Sequence, residues 1–151
     1  KVRRPNRKEK SRLQAIMDYY CRKMQLFLTP EDWEGHYHLA KALTYAERAY
    51  KLRPNLPGIL DTYAYVLYKN GRLEDAEKHV QASLQQYETF RQDVTAEVYY
   101  HLGLIKEKLV KKQEAVDAYE QALNSQVASL PGEIQQQVQS AVDRLAAGSS
   151  L

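Results

Sequence analysis

The most constraining feature of this sequence is a pattern of small residues that occurs twice, at positions 39 apart. In each copy a small residue precedes an alanine by twelve positions, and another small residue follows that alanine after seven. The set is Ala64, Ala76 and Ser83 in the first copy and Gly103, Ala115 and Ala122 in the second. A small side chain at a helix crossing lets two backbones approach closely, where a large one would hold them apart. The pattern therefore predicts closely packed helix pairs.

Bulky residues at steps of three and four extend this pattern into helical stripes, such as Leu60, Tyr63 and Leu67. Pro- and Gly-containing breakers separate the stripes, and no strand-like alternation is present. Thr29-Pro30 has the features of a helix start, but whether the helix continues through Gly35 stays open. We predict helices over 11–28 and 36–52, from Pro57 to the Asn70-Gly71 turn, from Leu73 into the stretch 86–95, and over 96–109, 113–125 and 131–148.

The two copies resemble the tetratricopeptide repeat, a helix–turn–helix unit of about 34 residues, and the phrase from Leu60 to Arg72 is similar to its bacterial forms. The resemblance implies an all-α, right-handed helix-pair solenoid. We expect a basic arm over 1–10, then one domain over 11–151 that comprises a divergent repeat (11–56), two repeats (57–95 and 96–130) and a capping helix (131–148). The sequence departs from the family at Val110, which replaces a turn glycine, and in an insertion between Gln85 and Thr95.

In this family one helix of each pair lines a groove that takes a partner's peptide or helix. The matching face here is Asp61, Tyr65, Tyr68, Lys69, Tyr100, Leu104, Glu107 and Lys108. Tyrosines suit such a surface because they combine a rigid apolar ring with a hydrogen-bonding tip. Tyr65 and Leu104 replace the asparagine of members that grip a C-terminal carboxylate, so we expect a hydrophobic or helical ligand segment. The alternative is that these rings pack internally, against the first or last helix.

The net charge of +3 conceals a basic arm. Seven basic residues and one acid among the first twelve give 7 − 1 = +6, which leaves 3 − 6 = −3 for the remainder. Such an arm could contact nucleic acid or an anionic membrane surface, but it lacks interleaved aromatics, and a solvated tail is the favoured interpretation. No stretch approaches the roughly 18 apolar residues of a membrane span, and no signal-peptide pattern is present. We expect a soluble domain, with the compartment left open.

No catalytic or cofactor motif is recognisable, and we predict neither an enzyme nor a cofactor. Cys21 is the only cysteine, and the four histidines do not share a metal-binding spacing, so no metal site is expected. His101 is interpreted as an ordinary surface or half-buried histidine. The leading hypothesis is a scaffold or adaptor that binds another protein. The alternative is a structural module that self-associates, as a homo-oligomer, or packs within a larger assembly.

Overall fold

The computed structural model describes Lys8 and residues 30–148, with side chains from His38 onward. The regular secondary structure of residues 30–148 consists of six helices: α1 (Pro30–Leu52), α2 (Pro57–Lys69), α3 (Leu73–Thr89), α4 (Ala96–Lys108), α5 (Lys112–Asn124) and α6 (Gly132–Ala147). Apart from Lys8, the predicted arm and the predicted helix over 11–28 lie outside the described residues. The chain divides between Lys41 and Ala42 into two compact units, and the second contains the two predicted repeats.

The helix bounds agree with the predicted segments to within a few residues. Gly35, where the sequence left continuity open, lies inside α1, which is unbroken from Pro30 to Leu52. The insertion in the first repeat appears as a longer helix, because α3 has 17 residues and its counterpart α5 has 13. A six-residue linker over 90–95 then leads into α4. None of the described helices is long and apolar enough to cross a membrane.

The helices pack as successive antiparallel pairs around two apolar clusters. Helix α2 packs along α3, α4 packs along α5, and α4 also contacts both helices of the preceding pair. Helix α6 packs against α5 and buries its apolar stripe there, Val138, Val142 and Leu145. Its opposite side carries exposed glutamines, as expected of a helix that ends a stack. The predicted all-α helix-pair solenoid with a C-terminal capping helix is confirmed.

The small residues lie at the helix crossings, as the sequence predicted. Ala64 and Val80 are both fully buried in the first pair. The equivalent positions of the second pair hold Gly103 and Tyr119, and a Cβ atom added to Gly103 would lie 2.3 Å from Cδ1 of the Tyr119 ring. Compared with the first repeat, the second therefore has a smaller residue on one helix and a larger residue on the other. This exchange preserves close packing.

We expect Gly103→Ala to lower the free energy of unfolding by about 1–3 kcal/mol, because the new methyl group overlaps the Tyr119 ring. Gly58→Ala is the matched control: a Cβ atom there meets nothing within 4 Å, so stability should be unchanged or slightly raised. Urea denaturation measures both. In a Tyr119→Val background, which copies the first repeat, Gly103→Ala should cost much less. Equal losses at Gly58 and Gly103 would contradict a steric role for Gly103.

The turn within each pair requires a residue with positive φ. In the first turn Gly71 has φ 76°, and the Arg72 N–H donates to the Leu67 carbonyl at 3.0 Å. In the second turn Val110 has φ 61°, and the Lys111 N–H donates to the Lys106 carbonyl at 2.9 Å. The two turns have the same hydrogen-bonded form, which glycine adopts readily and a β-branched residue does not. Val110 therefore has a strained backbone conformation in a turn whose geometry matches that of the first turn.

Replacing this valine should stabilise the domain. Val110→Gly should raise the free energy of unfolding by about 0.5–1 kcal/mol, because it removes the strain of a β-branched residue at positive φ. Little apolar burial is lost, since Val110 is 75% exposed. The reciprocal variant Gly71→Val should lower the same quantity by at least about 1 kcal/mol. Thermal and urea unfolding measure both changes in the free energy of unfolding. A less stable Val110→Gly domain would show that contacts of the valine side chain stabilise the fold by more than its backbone strain destabilises it.

A buried lysine joins the two repeats. Lys106 of α4 is 6% exposed, and its Nζ donates to Glu77 of α3 at 2.5 Å and to Glu114 of α5. Burial lowers the pKa of Lys106, but the hydrogen bonds to these carboxylates more than offset it, so the pKa is raised overall. Glu77 also accepts a bond from Lys111 at 2.6 Å, and both lysines hold its pKa below the usual value despite its burial. These bonds connect α3, α4 and α5.

Candidate partner-binding site

The structure brings the predicted tyrosines of α2 and α4 together on one surface. Tyr65 and Tyr68 of α2 and Tyr100 and Leu104 of α4 are each half-buried. We call these four residues the aromatic face. Burial raises the pKa of the Tyr68 hydroxyl, and the nearby Tyr65 and Tyr100 hydroxyls raise it further, which places the three phenols within electrostatic reach of one another. Side chains from two separate repeats, which the sequence assigns to the same face, therefore lie on one surface.

Three side chains of the aromatic face pack partly against the apolar clusters of the domain. Tyr68 packs against the apolar cluster of the first pair, which includes Leu67. Tyr100 and Leu104 pack against the cluster of the second pair, to which α6 contributes Val138. Each of these side chains therefore has one side against the core and the other toward solvent. This arrangement holds the rings in fixed positions while part of each remains accessible.

His101 lies at the centre of this surface, a position that sequence reasoning did not assign to it. Its ring stacks on Tyr65, with centroids 4.3 Å apart and an interplanar angle of 19°. Tyr65 in turn stacks on Tyr68 at 6.0 Å, and Tyr100 lies 5.8 Å from the histidine at a tilted angle. Stacked and tilted arrangements at these separations are the favoured geometries of aromatic pairs. The interpretation of His101 as an ordinary surface or half-buried residue was wrong, because the side chain is only 7% exposed.

Asp61 holds His101 in place from beneath the aromatic face. Its two oxygens lie 2.9 and 3.0 Å from Nδ1 of His101, and the carboxylate accepts a hydrogen bond from the Nδ1–H group. Both side chains are buried, so Asp61, which the sequence places on the predicted groove face, is not open to solvent there. The bond connects α2 to α4 and therefore ties one repeat to the next. A partner 40 residues away on another helix leaves no local signal in the sequence.

Glu107 is likewise occupied by contacts within the domain. Its Oε2 accepts a hydrogen bond from the Tyr119 hydroxyl at 2.8 Å, and its Oε1 accepts one from Arg144 of α6 at 2.7 Å. Burial raises the pKa of Tyr119 strongly, and the bond to Glu107 raises it further, so the phenol stays protonated and acts as the donor. Glu107 therefore connects α5 and α6 to the edge of the aromatic face.

The two predicted lysines differ from the acids in being exposed. Lys69 and Lys108 lie in the last turns of α2 and α4, at equivalent positions of the two repeats. The Lys69 ammonium lies 5.9 Å from the Tyr65 ring centroid, within range of a cation–π interaction. Helices α2 and α4 run in the same direction, because Asp61 meets His101 near their starts and Tyr68 is near Glu107 toward their ends. Both lysines therefore lie at the same end of the aromatic face.

We expect the Asp61–His101 bond to contribute about 1–3 kcal/mol of coupling, because removing either partner leaves a buried polar group unsatisfied. Asp61→Ala and His101→Ala should each lower the free energy of unfolding, and the double variant should lose less than the sum of the two. Urea denaturation of all four proteins measures the coupling, with the exposed neighbour Thr62→Ala as control. Additive losses would show that the two side chains stabilise the domain independently.

The described architecture is that of a helix-pair repeat protein, with consecutive pairs bridged by side-chain contacts. Residues 56–126 match the family model described as tetratricopeptide repeat. This segment contains both helix pairs, α2–α3 and α4–α5. This segment is therefore a tetratricopeptide repeat domain, a type of domain that generally mediates protein–protein interactions and belongs to a non-catalytic class of scaffold. The predicted family is thereby confirmed.

The chain is also similar to a TPR repeat-containing protein of Pseudomonas aeruginosa. The two are 39% identical over 56 residues, which is 37% of this chain and 8% of the relative. The chain therefore spans a small part of that protein's length, and the similarity concerns repeat units rather than whole proteins. A bacterial relative agrees with the bacterial type of repeat predicted from the sequence. In the described part of the chain, no group of three His, Cys, Asp or Glu side chains could hold a metal ion.

Proposed function

We propose that this domain is an interaction module that binds a peptide or helix of another protein on the aromatic face. The observation that carries the proposal is the stacked arrangement of Tyr65, Tyr68 and His101, fixed from below by Asp61 and still partly open to solvent. Half-buried tyrosines at the centre of a surface are typical of residues that contribute most to binding.

The rigidity of these rings favours binding. Ordering side chains at an interface costs about 0.5–1.5 kcal/mol for each flexible group. Tyr65 is already ordered by its stack on His101, and Tyr100 by packing on the second apolar cluster. The face therefore loses little conformational entropy when a partner covers it. A broad aromatic surface fits an apolar or helical segment better than a free C-terminal carboxylate.

The buried Asp61–His101 pair supports this face rather than a reaction. A carboxylate that orients a histidine also occurs in acid–base catalysis, but there the histidine must reach a substrate. Here the ring of His101 is covered by Tyr65 and its side chain is only 7% exposed. The pair instead positions the ring on which Tyr65 rests.

The test is selection of a random peptide library, displayed on phage, against the intact domain. We expect enriched peptides that bind with micromolar affinity and lose at least about 10-fold in affinity against Tyr65→Ala/Tyr100→Ala, because two anchoring rings are removed. Fluorescence polarisation with synthesised peptides measures the change. Phe90→Ala is the matched control, since Phe90 is an aromatic residue 52% exposed outside the aromatic face.

Circular dichroism of each variant separates loss of binding from loss of fold. If the alanine double variant unfolds, Tyr65→Leu/Tyr100→Leu keeps much of the apolar volume and removes the rigid rings and hydroxyls. Peptides that bind both folded variants as tightly as the intact domain would show that the aromatic face is not the binding site. Sedimentation velocity at several concentrations adds a check: a dimer that the same substitutions dissociate would assign the face to self-association.

A further inference from the structure

The charged side chains of the surface formed by α2 and α4 fall into two groups. Two of its three acids, Asp61 and Glu107, are bonded within the domain: the first to His101, the second to Tyr119 and Arg144. Their charges are therefore compensated by groups behind or beside the face. A ligand on the aromatic face meets little of their negative charge.

The lysines of the same surface have no such compensation. Lys69 and Lys108 are exposed, and within the described residues neither forms an ion pair with a carboxylate. Other lysines of this domain differ, since Lys106 and Lys111 both bind Glu77. The aromatic face therefore has two uncompensated positive charges at the end where α2 and α4 terminate.

The opposite end of the surface is acidic. Glu97 lies in the first turn of α4, its side chain is 70% exposed, and it lies 3.9 Å from Nε2 of His101. The surface is thus polarised along the helix axes, from a carboxylate at the start of α4 to two ammonium groups at the end of α2 and α4. Charge complementarity of this kind fixes the orientation and choice of a partner more than its raw affinity.

We propose that the occupant of the aromatic face is an acidic, apolar segment of another protein. Its apolar side chains cover Tyr65, Tyr68 and Tyr100, and its Asp or Glu side chains lie beside Lys69 and Lys108. The chain's own N-terminal arm has the wrong charge for this site, because it carries +6 over its first twelve residues. This inference rests on the proposed function and adds the chemistry and direction of the ligand.

The experiment compares peptide selections on three proteins. The intact domain should enrich peptides in which Asp and Glu accompany aromatic or aliphatic residues. Lys69→Glu/Lys108→Glu changes the net charge by −4 and should enrich basic peptides instead. The control Lys51→Glu/Lys78→Glu makes the same change in net charge at exposed lysines of α1 and α3, and it should keep the acidic preference. Circular dichroism confirms that all three proteins are folded.

The strongest acidic peptide is then synthesised with its Asp and Glu changed to Asn and Gln. Two exposed ion pairs predict that the amide version binds the intact domain roughly 3- to 10-fold more weakly than the acidic version. On Lys69→Glu/Lys108→Glu the order should reverse, because the new carboxylates repel the acidic peptide. The difference should shrink at 0.5 M salt, where exposed charges are screened.

The possible failures are distinct. Neutral or basic peptides that bind the intact domain through Tyr65 and Tyr100 would overturn the acidic ligand and leave the proposed function standing. An acidic preference that the control variant also loses would mean that net charge, and not these two lysines, selects the ligand, which again overturns the inference. Selection of no peptide by any of the three folded proteins would overturn the peptide-binding function itself.

Discussion

The close approach of two helices at one small residue determines the rest of this domain. At Gly103 the backbone of α4 meets the Tyr119 ring of α5, and in the first pair the equivalent residues, Ala64 and Val80, are both fully buried in one apolar cluster. A larger residue at either position would separate the pair and open the apolar interior on both sides. The stacking of α4 on the first pair, and of α6 on the second, depends on each pair being closed.

The second pair gains a further property from the size of Tyr119. Because Gly103 leaves room for a phenol ring, the Tyr119 hydroxyl extends through the pair to Glu107. The equivalent Val80 of the first repeat has no polar atom and could not make this bond. Arg144 of the capping helix completes the compensation of Glu107. The packing of Tyr119 against Gly103 in the interior thus helps to compensate the charge of Glu107 at the candidate binding surface.

Much of the fold followed from the sequence because the relevant constraints are local or periodic. Helix periodicity and the Asn70-Gly71 turn located the helices, and the repeated small residues located the crossings. The turn at Val110 was recognised as a departure, although only the backbone geometry reveals that Val110 adopts the same positive φ as Gly71. The sequence alone does not decide whether α1 continues through Gly35, since a single glycine lowers helix propensity without ending a helix.

The candidate site was less predictable because its central bond joins residues distant in sequence. The helical pattern placed Tyr65, Tyr68 and Tyr100 on one face. Nothing in the pattern, however, indicated that Asp61 turns inward to meet His101, since the equivalent residues of the neighbouring repeats are unlike them. A buried acid on one helix and a histidine on the next can be paired only when the spacing between helices is known.

The two repeats contribute different residues to the candidate site, and this asymmetry has a consequence for binding. Tyr65 and Tyr68 of the first repeat correspond to Leu104 and Glu107 of the second, while Asp61 corresponds to Tyr100. Equivalent positions therefore do not form two copies of one small site. They form one surface whose stack, supporting bond and charges come from both helices. Because neither repeat holds all these parts, a ligand of the proposed kind must span α2 and α4, and the Asp61–His101 bond that holds these helices together also keeps that surface intact.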